Sequence, residues 1–182
     1  MERYIVLLRG VNVGGNNKIA MPRWKEALEA RGLQNVLTYI NSGNAIFDSA
    51  LPETAVKAAC EEVILNTFGL DITACVLAAG ALRDAISHAP DWWNQGADSK
   101  HNALFVIPPA TACEVCDGVG AAKPDYERVA YYGRVIFWSA PLATFHRTRW
   151  SKITQSKELY NAITIRNANT ALKLLRLADG GA

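Results

Sequence analysis

Four short segments of this 182-residue chain gather cations, amides, hydroxyls and glycines and hold no acid: RGVNVGGNNK (9–18), TYINSGN (38–44), RWSK (149–152) and RNANTALK (166–173). Such residue types suit recognition of an anion. An arginine fork meets phosphate or carboxylate at two points, a lysine supplies a point charge, and turn amides donate from the backbone. Asp and Glu are absent from residue 9 through residue 25, which removes the usual repulsion of a negative ligand. The candidate ligand-binding residues are Arg9, Asn12, Gly14, Gly15, Asn17 and Lys18 in the first segment, and Ser42, Gly43 and Asn44 in the second. Ser151 and Lys152 follow in the third, then Arg166, Asn167, Asn169, Thr170 and Lys173 in the fourth. Convergence of these segments on one pocket would bind a phosphate-bearing small molecule or a nucleotide.

Spacing excludes the familiar nucleotide motifs. Gly10, Gly14 and Gly15 do not make G-x-G-x-x-G, and a P-loop fails because Asn16 stands where its lysine is required. What remains is a glycine-rich loop before a helix, where exposed N–H groups and partial positive charge favour an anion. The loop of residues 10–19 exceeds the roughly two to six residues that join most strands to helices. The competing reading is that its glycines and asparagines simply turn the chain and cap stray backbone groups.

Catalytic signatures are missing. No G-x-S-x-G, no H-E-x-x-H and no paired carboxylates lie near these segments. Ser42 and Ser151 lack a visible base, His146 has no orienting acid at hand, and Lys152 beside Ser151 would point the other way in a strand. Whether the chain is an enzyme stays open. Cys60 and Cys75 lie in apolar patterns and read as core, whereas CEVC (113–116) reads as two cysteines on a helix. His88, His101 and His146 are scattered, so no metal and no cofactor are expected. Two other functions fit the residue types present. Tyr131, Tyr132, Phe137 and Trp138, with the cations of 147–157, could form a platform for RNA or single-stranded DNA, although the RNP pattern is absent. Trp92 and Trp93 could anchor an interaction or dimer interface, the favoured alternative being a hydrophobic plug between two halves.

The elements that must position these residues follow from hydrophobic spacing. Residues 3–9 form a buried strand, 23–32 a helix entered at Pro22, and 35–41 with 44–49 a hairpin around Ser42-Gly43. A helix at 52–69 and a strand at 71–79 complete β-α-β-β-α-β, the split βαβ order. A second series has a short helix at 80–90, a strand at 101–108, a helix at about 109–121 and a hairpin around Gly133. A loop at 140–150, a helical stretch at 155–162, the extended piece 163–165 and a last helix at 167–178 follow. The expected fold is α+β: two ferredoxin-like halves packed together with an extra C-terminal helix. Residues 1–79 and 101–182 make the halves, and 80–100 connect them. Half the residues are hydrophobic and a fifth charged, as in folded globular chains, and no run is long enough to cross a bilayer. A cytoplasmic protein with no membrane partner is expected, of unspecified oligomeric state. The net charge is +2, yet residues 146–176 carry seven cations against Glu158, hence +6, which leaves −4 elsewhere.

The motif blocks also resemble a known family. LLRGVNVGGNNKIAM followed by NVLTYINSGNAIF is similar to the opening pattern LLRGINVGG-x-N-K-x-x-M, then TY-x-x-SGN-x-x-F, of the bacterial domain-of-unknown-function family numbered 1697. RWSKI (149–153) and TIRNANTALKL (164–174) resemble its S-K-L and T-x-RN-x-x-T-x-x-KL patterns, with Ala168 where that family usually has Trp. The resemblance implies two ferredoxin-like α+β halves in a bacterial cytosolic protein, and it implies no activity.

Overall fold

The computed structural model describes residues 1–181 and divides into two compact units, residues 1–82 with 174–181, and Arg83–Lys173. In the first, β1 (Glu2–Leu8) leads through the long loop to α1 (Met21–Ala30), then to β2 (Gln34–Tyr39) and β3 (Asn44–Ser49). α2 (Glu53–Phe68) and β4 (Ala74–Ala78) close the series. The strands form an antiparallel sheet in the order β2-β3-β1-β4, the ferredoxin-like arrangement. β1 is a central strand in which both Val6 and Leu7 are fully buried, so it reads as an unbroken apolar run rather than an alternation.

α1 begins with Pro22 in its first turn, where the missing N–H costs nothing, and it buries Trp24 and Leu28 one turn apart. α2 buries Val56, Cys60, Val63 and Ile64 and stops at Gly69, whose φ of 68° is the left-handed cap that glycine adopts without strain. These side chains meet Val6, Leu8, Phe47 and Val76 on one face of the sheet. Each fully buried large apolar side chain stabilises by about 1.5–3 kcal/mol relative to exposure.

The second unit repeats the topology. β5 (Ser99–Val106), α4 (Ala112–Val119), β6 (Arg128–Tyr132) and β7 (Val135–Pro141) precede β8 (Ile163–Asn167), in the sheet order β6-β7-β5-β8. Its core joins Leu104, Val106, Ile136 and Trp138 of the sheet to Val115, Trp150 and Ile153. α4 starts later than the sequence pattern implies because Thr111 caps it: the Thr111 hydroxyl accepts from the Glu114 amide, and the Glu114 carboxylate accepts from the Thr111 amide.

Between β7 and β8 the expected loop is instead two 3₁₀ segments, Leu142–Arg147 and Trp150–Gln155, followed by the five-residue helix α5 (Lys157–Asn161). Ser151 and Lys152 therefore lie in a tight helical turn, and the strand alternation invoked to separate them does not apply. α3 (Ala79–Ser87) and the C-terminal α6 (Ala168–Ala178) are the two helices within which the division between units falls. Among the described residues no helix is long and apolar enough to cross a membrane.

Candidate functional site

The loop between β1 and α1 is a self-bonded finger. Val11 and Ile19 are buried at its base, while residues 13–18 are exposed. The Asn12 amide donates to Asn17 O at 3.2 Å and the Asn16 amide to Val13 O at 3.1 Å, closing a miniature hairpin. Its tip, Gly14-Gly15, has φ of 58° and 81°, the primed turn for which glycine is the natural choice. The asparagine side chains work on the finger itself. Asn12 Nδ2 donates to Ile19 O at 2.9 Å and its Oδ1 accepts from the Ile19 amide at 2.9 Å, while Asn17 Nδ2 donates to Gly10 O at 3.0 Å. Among the described residues the backbone amides of Gly14 and Gly15 donate to nothing, and Lys18 is exposed further along the same loop.

The SGN segment locks onto this finger. Asn12 Nδ2 also donates to Asn41 O at 2.7 Å, and the Leu8 amide donates to Gly43 O at 2.8 Å. Gly43 has φ of 74°, and a Cβ built there would lie 2.5 Å from Val11 Cγ2 and 2.8 Å from Leu8 Cβ, so no other residue fits. Asn44 is fully buried and donates to Tyr39 O and to Ser42 Oγ, both at 2.9 Å, tying the turn across its mouth. Residues 9–18 and 41–44 thus share one hydrogen-bonded cluster. Arg9, half-buried, donates its amide to Thr73 O at 3.1 Å.

The second unit uses its motif residues in the same inward way. Arg166 is buried on β8, and its Nη1 donates to Thr164 Oγ1 at 2.9 Å and Ile165 O at 2.8 Å. Asn167 caps α6, its Oδ1 accepting from the Thr170 amide at 2.7 Å, which occupies one of the donors an anion would otherwise meet. Thr170 is buried, Asn169 is exposed and Lys173 is half-buried. Ser151 Oγ donates to Thr148 O at 3.2 Å, and Lys152 is exposed.

A buried carboxylate, Glu127, organises the RWSK segment. It is 3% exposed and accepts four N–H groups: Lys123 N at 3.1 Å and Arg149 N at 2.7 Å on one oxygen, Trp138 Nε1 at 3.2 Å and Trp150 N at 3.1 Å on the other. Four charge-assisted donors offset the several kcal/mol that desolvating a carboxylate costs.

A family model described as a protein of unknown function (DUF1697) matches residues 1–137. The chain belongs to the DUF1697 family. Among solved structures, the conserved bacterial protein SP0830 from Streptococcus pneumoniae matches with a TM-score of 0.88 and 26% sequence identity, covering 98% of this chain and 99% of that one. No curated protein matches the chain.

The match to the DUF1697 model spans the finger, the SGN lock and Glu127, and ends before RWSK and RNANT. Glu127 carries no signal in the sequence, where it sits among ordinary polar residues, KPDYER; its four donors reveal it. Two of the four aromatics expected to form a platform lie in the core. Phe137 and Trp138 are buried in the sheet, which leaves Tyr131 and Tyr132 exposed among the four. Trp93 is a core residue of the second unit, its Nε1 donating to Asn102 O at 2.9 Å and its ring edge-on to Phe137 at 5.0 Å. Trp92 is half-buried and lines a cleft of about 420 Å³ together with His101, Glu127, Arg128 and Ser139. The CEVC pair lies on α4 as free thiols, and burial pushes the Cys116 thiol up to about 11, so it is no thiolate nucleophile at neutral pH.

Proposed function

We propose that this DUF1697 protein binds a phosphate-bearing small molecule or nucleotide at the finger of residues 9–18. One observation carries the reading: the Gly14 and Gly15 amides donate to nothing among the described residues, in a loop that also carries exposed Lys18. The three Asn12 bonds and the Asn17 bond hold the finger in shape, so little ordering entropy opposes binding. Adjacent turn amides in left-handed conformation form a concave donor pair for an anion, and the chain from residue 9 through residue 25 carries no acid to repel it. Asn12, Asn17, Ser42, Gly43 and Asn44 serve as the rigid support, and Gly14, Gly15 and Lys18 make the contact.

The test is a thermal-shift series with inorganic phosphate, sugar phosphates and mononucleotides, followed by calorimetric titration of each hit. A ligand at about 100 times its Kd stabilises by about 2.7 kcal/mol, a clear rise in Tm. Lys18→Ala is expected to weaken a hit at least several-fold while leaving the unliganded Tm unchanged. Absence of any hit, or hits indifferent to Lys18→Ala, would overturn the proposal.

A further inference from the structure

The cleft of about 420 Å³ in the second unit is lined by a serine and a histidine in hydrogen-bond contact with each other. His101 on β5, Ser139 on β7 and Arg128 on β6 occupy one row across the sheet, His101 opposite Ser139 and Arg128 opposite Ser139 on its other side. Cross-strand partners project their side chains to the same face. His101 Nδ1 lies 2.7 Å from Ser139 Oγ, and His101 Nε2 lies 3.1 Å from Gly96 O. A carbonyl can only accept, so Nε2 carries the proton. In the neutral ring Nδ1 is then bare, and the Ser139 hydroxyl donates to it. Ser139 is 7% exposed, yet it lines the cleft, and its single O–H proton points at a base.

We propose that Ser139 and His101 are a nucleophile and general base for cleavage of small carboxylic esters in this cleft, with the Gly96 carbonyl as the positioning group. Ser139 Oγ forms a bond to the ester carbonyl carbon as its proton passes to His101 Nδ1. The tetrahedral adduct collapses, the C–O bond to the alcohol breaks, and the departing oxygen takes the proton from His101. Water then attacks the acyl-serine, giving its proton to His101 Nδ1. Collapse releases the carboxylic acid and returns the proton to Ser139. Arg128, exposed in the same row and lining the cleft, is the cation that would meet the developing oxyanion. The cleft is lined by residues of the second unit, whereas the finger belongs to the first.

The full-length protein is treated with a fluorophosphonate probe and with p-nitrophenyl acetate, and the adduct is located by peptide mass spectrometry. A covalent adduct on Ser139 is expected, absent in Ser139→Ala and slowed about 100-fold in His101→Asn. In Ser139→Cys, iodoacetamide labelling of the new thiol is expected to be faster than in the Ser139→Cys, His101→Asn double variant. The wild-type mapping requires no variant to fold. Absence of an adduct, an adduct on another residue, or Ser139 labelling unchanged by His101→Asn would each overturn the proposal.

Discussion

Gly43 and Gly14 are both glycines at positive φ, and the structure separates their roles. At Gly43 an added methyl would collide with Val11 and Leu8 at 2.5 and 2.8 Å, whereas at Gly14 it meets nothing within 4 Å. Gly43→Ala is therefore expected to destabilise the protein by about 2–4 kcal/mol, combining overpacking with left-handed strain. Gly14→Ala should cost about 1 kcal/mol from backbone strain alone. Urea denaturation of the two variants checks the difference. Asp48 offers a pH-dependent counterpart. Burial pushes its carboxyl up, but hydrogen bonds from Asn35 and Arg3 outweigh that and hold it below the usual carboxylate range. A depressed folded value means stability that is present above the unfolded value of about 3.9 and is lost as pH falls through the folded one. The stability gap between the wild type and Asp48→Asn should accordingly narrow on acidification below about pH 4, as read from denaturation at stepped pH.

At the scale of elements, Glu127 ties the turn before β6 to β7 and to the start of the second 3₁₀ segment through Lys123, Trp138, Arg149 and Trp150. Glu127→Ala would leave four donors unanswered in a buried place and is expected to cost roughly 3 kcal/mol or more. Glu127→Gln keeps the shape but removes the charge and one acceptor, so it should cost less. Chemical denaturation of both variants decides whether the carboxylate, rather than the side-chain volume, holds the segment. The capping box on α4 is a smaller support, and Thr111→Ala should lose about 1 kcal/mol in the same measurement.

At the scale of the molecule, the two units carry their own thiol reporters. Cys60 and Cys75 are buried in the first unit, and burial pushes the Cys60 thiol up to about 12. Cys113, exposed on α4 in the second unit, should be alkylated in the native protein, whereas Cys60 should react only when its unit opens. Site-resolved alkylation along a denaturant gradient tests this directly. Simultaneous reaction of Cys60 and Cys113 in native buffer would contradict the burial.

Much of this protein was determined by local pattern. β1 reads as buried because a central strand is apolar on both faces, α1 because Trp24 and Leu28 recur one turn apart, and α2 because its stripe ends at Gly69. Strand order follows from the β-α-β-β-α-β series, and the motif blocks were visible as acid-free runs. Only the tertiary structure decided what those motif residues do. Asn12, Asn44, Asn167 and Arg166 look alike as free ligand-binding groups in sequence, yet the folded chain turns each toward its own backbone or a neighbouring hydroxyl. The Glu127 cluster and the Ser139–His101 contact join residues 22–23 and 38 positions apart, with no periodicity to announce them. Hydrophobic spacing encodes which face is buried because burial repeats with the backbone. The partner of a polar side chain is a single contact made at a distance, and it exists only once the chain has closed.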